Sequence, residues 1–576
     1  MKELGKYLKP YVGAMVVGLL IKIAATIVEL CLPWILSYMI DYIIPKKDIT
    51  LIGVFGGLML VCTVTAIVFN ISANRRASKV ARNVTERLRL DLFQKIFQLS
   101  NGQTDRLTTP SMISRLTSDT YNVNQMVGMM QRLGVRAPIM FLGGIIITFT
   151  LDVTLTLVML SVLPILLVLI VLIYKKAMPM YQVLQRKLDR FVEVVREDAG
   201  GIRVIKALSK TEYEEERFQG VSSDLVEQEK NAGMTMGVLN PAMNLFLNIG
   251  MVLVILIGGY RVNAGTSKPG TIIAFMSYVV LILNAVLFIS RMFVIFSKAI
   301  ASMNRIGEVL ALENEYFVEE EKAWEDREVQ SENYLTFEDV TFAYDLKGGP
   351  VVQNISLDLK KGETLGIIGP TGAGKTTLIH LLMRFYEPTK GRIVLDGKPL
   401  ISYPKEALRQ KFGVVFQNDV LLKESIYENI RFGRQIGEEE IRKAIKCAMA
   451  EEFIGEKKEG YHSNLDIRGA NLSGGQKQRL LIARALAARP EILILDDSSS
   501  ALDYKTDAKL RQGLLKHYKE TTTILVAQRV SSVMSADKIL VLEDGKIVGI
   551  GSHDELMKHC SLYQELSRLQ MGGEKA

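Results

Sequence analysis

Residues 365–377 read LGIIGPTGAGKTT. An apolar run, Leu365–Ile368, leads into Gly369-x4-Gly374-Lys375-Thr376, and helix-forming residues follow. This order of strand, glycine loop and helix suits a phosphate. Glycines let backbone N–H groups close around the anion, and the helix N-terminus adds its dipole. Lys375 is placed to reach the outer phosphates of a nucleotide, and Thr376 to offer its hydroxyl to Mg²⁺. Thr371, Gly372 and Thr377 complete the loop.

A second apolar strand, Ile492–Leu495, ends in Asp496-Asp497. The first carboxylate is placed to hold Mg²⁺ through water. The second stands where a base for an attacking water belongs. The plainer alternative is a pair of carboxylates capping the next loop. Between the two motifs, Leu472-Ser473-Gly474-Gly475-Gln476 opens a helix, Lys477–Ala488, and offers N–H and hydroxyl donors to a phosphate.

The elements that carry these residues occupy only the second half of the chain. Of 576 residues 48% are hydrophobic, an ordinary share, but most lie before about residue 300. The uncharged stretches Leu51–Asn70, Val153–Tyr174, Ala232–Tyr260 and Pro269–Ser290 are long enough to cross a bilayer. Met15–Leu36 carries Lys22 and Glu29, and Ala137–Leu151 is short and needs its basic flank. Counting both gives six crossings. A disordered chain, a collagen and a small disulfide scaffold are thereby excluded. The long basic segments 71–130 and 175–231 are expected in the cytoplasm, with short loops near 43–50, 152 and 261–268 outside. Both termini are then expected on the cytoplasmic side of the cell membrane, and MKELGKYLKPY reads as a retained cytoplasmic start.

The net charge of +8 sits largely beside apolar runs. It points to a cytoplasmic membrane face rather than to nucleic acid. Cys31, Cys62, Cys447 and Cys560 are far apart and are expected as free thiols. Lys22, Glu29, Asn244, Asn248, Asn284 and Arg291 fall at membrane depth. They mark either a substrate path or helix pairing and snorkelling.

With P-loop, aspartate pair and LSGGQ together, the chain resembles an ABC transporter half-subunit of the exporter type over nearly its whole length. The resemblance implies an all-α six-helix transmembrane domain (1–312), an acidic linker (313–333) and an α/β P-loop NTPase domain of ABC type (334–576). It implies ATP and Mg²⁺ as cofactors, with Thr376, Gln417 and Asp496 at the metal. Tyr344 matches the aromatic that stacks on adenine. Gln417 matches the glutamine linking nucleotide site to membrane domain. Ser473, Gly474, Gly475 and Gln476 belong to the family signature, and Ser500-Ala501-Leu502-Asp503 to the D-loop. Ser111–Thr120 and Gly201–Ala207 look like the intracellular loops that carry coupling helices.

Three positions depart from the family pattern. Asp497 stands where Glu is usual. Gln528, in LVAQR, stands at the switch histidine. Ile467-Arg468-Gly469 replaces Glu-Arg-Gly. Asp is one methylene short, and Gln carries no proton beside the γ-phosphate. Losing general-base assistance typically costs about 10²–10⁴-fold. The pattern resembles the degenerate-site subunit of a heterodimeric multidrug-type exporter. Its expected partners are a homologous half-transporter, membrane lipid and a hydrophobic or amphiphilic small molecule, with no nucleic acid. The rivals are a homodimer with slow sites and an ATP-regulated channel or sensor subunit.

Overall fold

In the computed structural model the chain divides into two compact units, 1–97 with 110–312, and 98–109 with 313–576. The structure describes residues 2–315, 333–345, 348–498 and 502–571. Most of the acidic stretch, and Ser500 and Ala501 of the D-loop, lie outside these.

The first unit is helical: α1 (Val12–Tyr38) and α2 (Ile49–Phe97). The short α3 (Asn101–Leu107) falls in the second unit. Then follow α4 (Thr120–Arg132), α5 (Arg136–Leu151), α6 (Val153–Ala207), α7 (Thr211–Gly237), α8 (Leu239–Asn263) and α9 (Pro269–Leu310). Among the described residues six helical segments are long and apolar enough to cross a membrane. At about 1.5 Å per residue, α2, with 49 residues, is about 74 Å long, more than twice a bilayer core of about 30 Å. It therefore continues far beyond the membrane, as its switch from apolar to basic residues after Asn70 requires.

The expected span 232–260 is interrupted at Val238, just ahead of Asn240-Pro241. Proline brings no N–H to the ladder, so it sits in the first turn of a new helix. Lys22 and Glu29 pair across helices rather than snorkel: Lys22 reaches Asn70 and Asn74, and Glu29 reaches Asn70 and Arg136. Asn284 bonds its own helix at Val280, and the Arg291 side chain lies outside the described atoms.

Among the described residues the second unit holds two sheets. The four-stranded one has the order β2-β1-β4-β5, from β1 (Leu335–Phe342), β2 (Val352–Leu359), β4 (Lys390–Leu395) and β5 (Lys398–Pro399). The six-stranded one has the order β10-β9-β3-β8-β7-β6. Its strands are β3 (Thr364–Ile368), β6 (Phe412–Val415), β7 (Ile492–Asp496), β8 (Thr522–Val526), β9 (Lys538–Glu543) and β10 (Lys546–Gly551). All its pairs are parallel except β9–β10. β7 reads ILILD and is buried throughout, as a strand covered on both faces must be. Helices α10 (Lys375–Leu382), α11 (Gly474–Leu486), α12 (Tyr504–His517) and α13 (Ser561–Met571) complete the elements used below.

Because β3, β8 and β7 are neighbours, three loops far apart in sequence leave the sheet side by side at its carboxyl edge. That edge is where open α/β sheets bind ligands.

Candidate functional site

The P-loop leaves β3 at Gly369 and enters α10 at Lys375. A Cβ at Gly369 would lie 2.2 Å from the Leu542 carbonyl oxygen, and one at Gly374 would lie 2.6 Å from Val352 Cγ1. Gly374 also has φ +94° and Gly372 φ +87°, where side chains strain the backbone. Nothing lies within 4 Å of the Cβ position at Gly372, so its face of the loop is open. Gly369→Ala is expected to force the loop away from β9 and to lower nucleotide affinity about tenfold or more. Equilibrium binding of a fluorescent ATP analogue checks it; unchanged affinity would show that the loop absorbs the methyl group.

Lys375 folds back along this loop. Its Nζ donates to the Gly369 carbonyl at 2.7 Å and to the Pro370 carbonyl at 2.8 Å. Burial pulls its ammonium below the usual lysine range, while Asp496 and Asp497 act to raise it. The next residue, Thr376, donates its hydroxyl to Asp496 Oδ2 at 3.1 Å. Asp496 is 2% exposed at the end of β7. Burial pushes its carboxyl above the usual range; Thr376 and Lys375 oppose this and Asp497 adds to it. A hydroxyl and a carboxylate this close are hard oxygen donors. They suit Mg²⁺, which takes one or two protein oxygens and fills its octahedron with phosphate and water.

Asp497 takes a left-handed turn, φ +51°, which Asp tolerates better than most side chains. Its N–H donates to the Val526 carbonyl, tying β7 to the end of β8. Two residues past that carbonyl, Gln528 Nε2 donates to Asp497 Oδ2 at 3.0 Å. Two of the three departures from the family pattern, Asp497 and Gln528, therefore touch each other. Burial raises the Asp497 carboxyl, opposed by Lys375 and Arg529. The switch loop is itself clamped by α13: Gln570 accepts from the Val530 N–H at 2.7 Å and donates to the Gln528 carbonyl at 2.8 Å.

Tyr344 stands beside α10 with half its surface exposed. Its hydroxyl lies 3.3 Å from Thr377 Oγ1 and 3.4 Å from His380 Nδ1. Phe342 and Tyr386 meet its ring edge-on at 4.9 and 5.0 Å. The Tyr386 hydroxyl donates to the Asp105 carboxylate on α3. Burial and Asp105 both hold that phenol well above its usual range. Burial pulls His380 below the usual imidazole range, with Asp105 opposing. No sequence signal marked Asp105, Tyr386, His380 or Gln570, since each acts through a neighbour distant in the chain.

Segment 98–109, not Ser111–Thr120, groups with the nucleotide unit. Ser100 caps α3 in a capping box with Gln103, and Gln103 Nε2 reaches the Glu313 carbonyl. Residues 110–120 stay with the helical unit, where Arg305 holds the buried Asp119 at 2.9 Å. Gln417 lies exposed in the turn after β6, and among the described residues it makes no hydrogen bond to Thr376 or Asp496.

Ser473 caps α11, accepting from the Gln476 N–H, while Gln476 Oε1 accepts from the Ser473 N–H. Ser473 and Gly474 are exposed. Among the described residues the signature makes no hydrogen bond to the P-loop. Asp503 caps α12 through the Thr506 N–H at 2.8 Å, and Leu502 is buried.

Residues 15–286 match the ABC transporter transmembrane region, and residues 352–500 the ABC transporter family. The uncharacterized ABC transporter ATP-binding protein YfiB of Bacillus subtilis is 34% identical over 575 residues, covering 100% of this chain and 99% of its own. This chain belongs to the ABC transporter family. It is a half-transporter: a membrane region and an ATP-binding, ATP-hydrolysing domain fused in one multi-pass membrane chain. The putative multidrug export ATP-binding/permease protein YgaD of the same organism is 31% identical and covers 99% of each chain. A bacterial Atm1-family ABC exporter solved with ATP bound shares the fold, with TM-score 0.80 at 23% identity and 99% coverage of each chain. Half-transporters of this fold typically work as dimers.

Proposed function

We propose that this half-transporter is the degenerate-site subunit of a heterodimeric exporter that moves an amphiphilic or drug-like molecule out of the cytoplasm or inner leaflet. The observation that carries the reading is the 3.0 Å hydrogen bond from Gln528 to Asp497. In an active site a carboxylate holds the attacking water and a histidine meets the γ-phosphate. Here the shortened carboxylate is engaged by an amide that cannot shuttle a proton, so general-base assistance is weak. The relative named as a putative multidrug exporter supports export of amphiphiles.

The roles follow residue by residue. Tyr344 stacks on adenine. The N–H groups of Gly369, Thr371, Gly372 and Gly374, with Lys375 and Thr377, hold the phosphates. Thr376 and Asp496 hold Mg²⁺, which neutralises phosphate charge when bound. Gln417 serves as the link between nucleotide site and membrane domain. Ser473, Gly474, Gly475 and Gln476 complete the partner's site. The domains run 1–312 and 334–576 with the acidic linker between, and both termini face the cytoplasm because the long basic segments do. ATP binding closes the two nucleotide domains, and hydrolysis at the partner's site resets them.

Purified alone, the chain is expected to bind ATP yet turn it over at least about 10²-fold more slowly than the two-chain complex. Steady-state phosphate release from each preparation is the measurement. Rapid turnover by a verified pure homodimer would replace this reading with a homodimeric exporter.

A further inference from the structure

The charges of the membrane helices narrow the chemistry of the cargo. Across residues 12–38, 49–85, 120–151, 153–188, 239–263 and 269–307, Glu29 is the one carboxylate. It serves two cations. Arg136 on α5 donates to Glu29 Oε2 at 2.9 Å. Lys22, one side of the same network, is 2% exposed and donates to Asn70 Oδ1 at 2.6 Å and Asn74 Oδ1 at 3.2 Å. Asn70 in turn donates to Glu29 Oε1 at 2.6 Å. Arg132, one turn before Arg136, spends its Nε on the Gly128 carbonyl.

One carboxylate does not balance these charges, and the network is not saturated. Arg136 Nε is buried without a hydrogen-bond partner. An uncompensated cation and an orphan donor at membrane depth are both costly unless an anion meets them. Asn74 also borders a shallow, open groove of about 710 Å³ along the exposed face of α2. Ile71, Arg75, Ser78, Lys79 and Arg82 line the rest of it. The groove holds three cations and no carboxylate, with its apolar end toward the membrane span.

We infer that this end of α1, α2 and α5 takes the acid group of an anionic amphiphile: a carboxylate, phosphate or sulfonate on an apolar body. The inference rests on the export reading above and names its substrate class. The same head-group chemistry has two sources, transported cargo and bilayer lipid, and the test separates them.

The transporter, with any homologous subunit that copurifies, is reconstituted in phosphatidylcholine vesicles. Dansyl-undecanoic acid and the amine with the same tail are the probes, and ATP-dependent movement of each is read from dansyl fluorescence. The acid is expected to move about tenfold faster than the amine, the scale of one or two charged hydrogen bonds. Arg136→Gln brings that ratio toward one, and Arg75→Gln with Lys79→Gln, on the exposed groove, lowers it as well. Glu29→Gln raises it, because the positive excess grows. If the network only braces the helices, Glu29→Gln slows both probes together at an unchanged ratio, and the inference is overturned. If the acid binds without moving and phosphatidylglycerol in the vesicles displaces it, the anion site stands and its ligand is lipid. Movement of the amine but not the acid overturns the anion site and leaves export intact. If neither probe moves under ATP, export fails, and binding of the acid to the parent against Arg136→Gln still decides the site.

Discussion

Ser473→Ala or Gly475→Asp in this chain is expected to cut the ATPase of the two-chain complex by about 10²–10³-fold, the usual cost of losing a donor aimed at shifting charge. Ser473 caps α11 with its side chain at the surface, and its helix N-terminus points its N–H groups outward. On the proposed reading, that end serves an ATP held by another subunit. Asp497→Asn, in contrast, changes a carboxylate already engaged by Gln528 and is expected to lower turnover only a few-fold. Steady-state phosphate release from the complex, variant by variant, decides between them. Equal damage from Asp497→Asn and the signature variants would mean that this chain's own site carries turnover, and the degenerate-site reading would lose its support.

Asp497→Glu combined with Gln528→His is expected to raise the ATPase of the isolated chain about 10²-fold or more, within the range that general-base assistance supplies. The added methylene restores the carboxylate's reach, and replacing Gln528 removes the amide that holds it in the parent and puts an imidazole at the switch position. One cost is foreseeable. Residue 497 sits at φ +51°, and Glu tolerates the left-handed region less well than Asp, at roughly 1–2 kcal/mol. The single Gln528→His therefore belongs in the same experiment, since it leaves that backbone unchanged. A double variant as slow as the parent would show that neither residue limits turnover here.

Motifs whose parts are contiguous were legible from the sequence. The P-loop, LSGGQ and the aspartate pair each lie within a few residues, and their glycines and flanking apolar runs name their backbone geometry. The six spans were legible for a similar reason, because length and apolarity are local. Placement was legible only in part. The segment that groups with the nucleotide unit is 98–109, about ten residues ahead of the expected stretch. A capping box at Ser100 and Gln103 was its one local sign.

The sequence by itself determined the glycine loop, the aspartate pair and six apolar stretches long enough to cross a membrane, because each is written in neighbouring residues. Only the tertiary structure decided which of them meet. Gln528 and Asp497 lie 31 positions apart in the chain and touch because β7 and β8 are adjacent and parallel. Tyr386 finds Asp105 across 281 positions, and Lys22 finds Asn70 across 48. Parallel strands joined by helical crossovers, and helices packed in a bundle, bring side chains together by strand order and helix contact, and neither is a property of spacing along the chain.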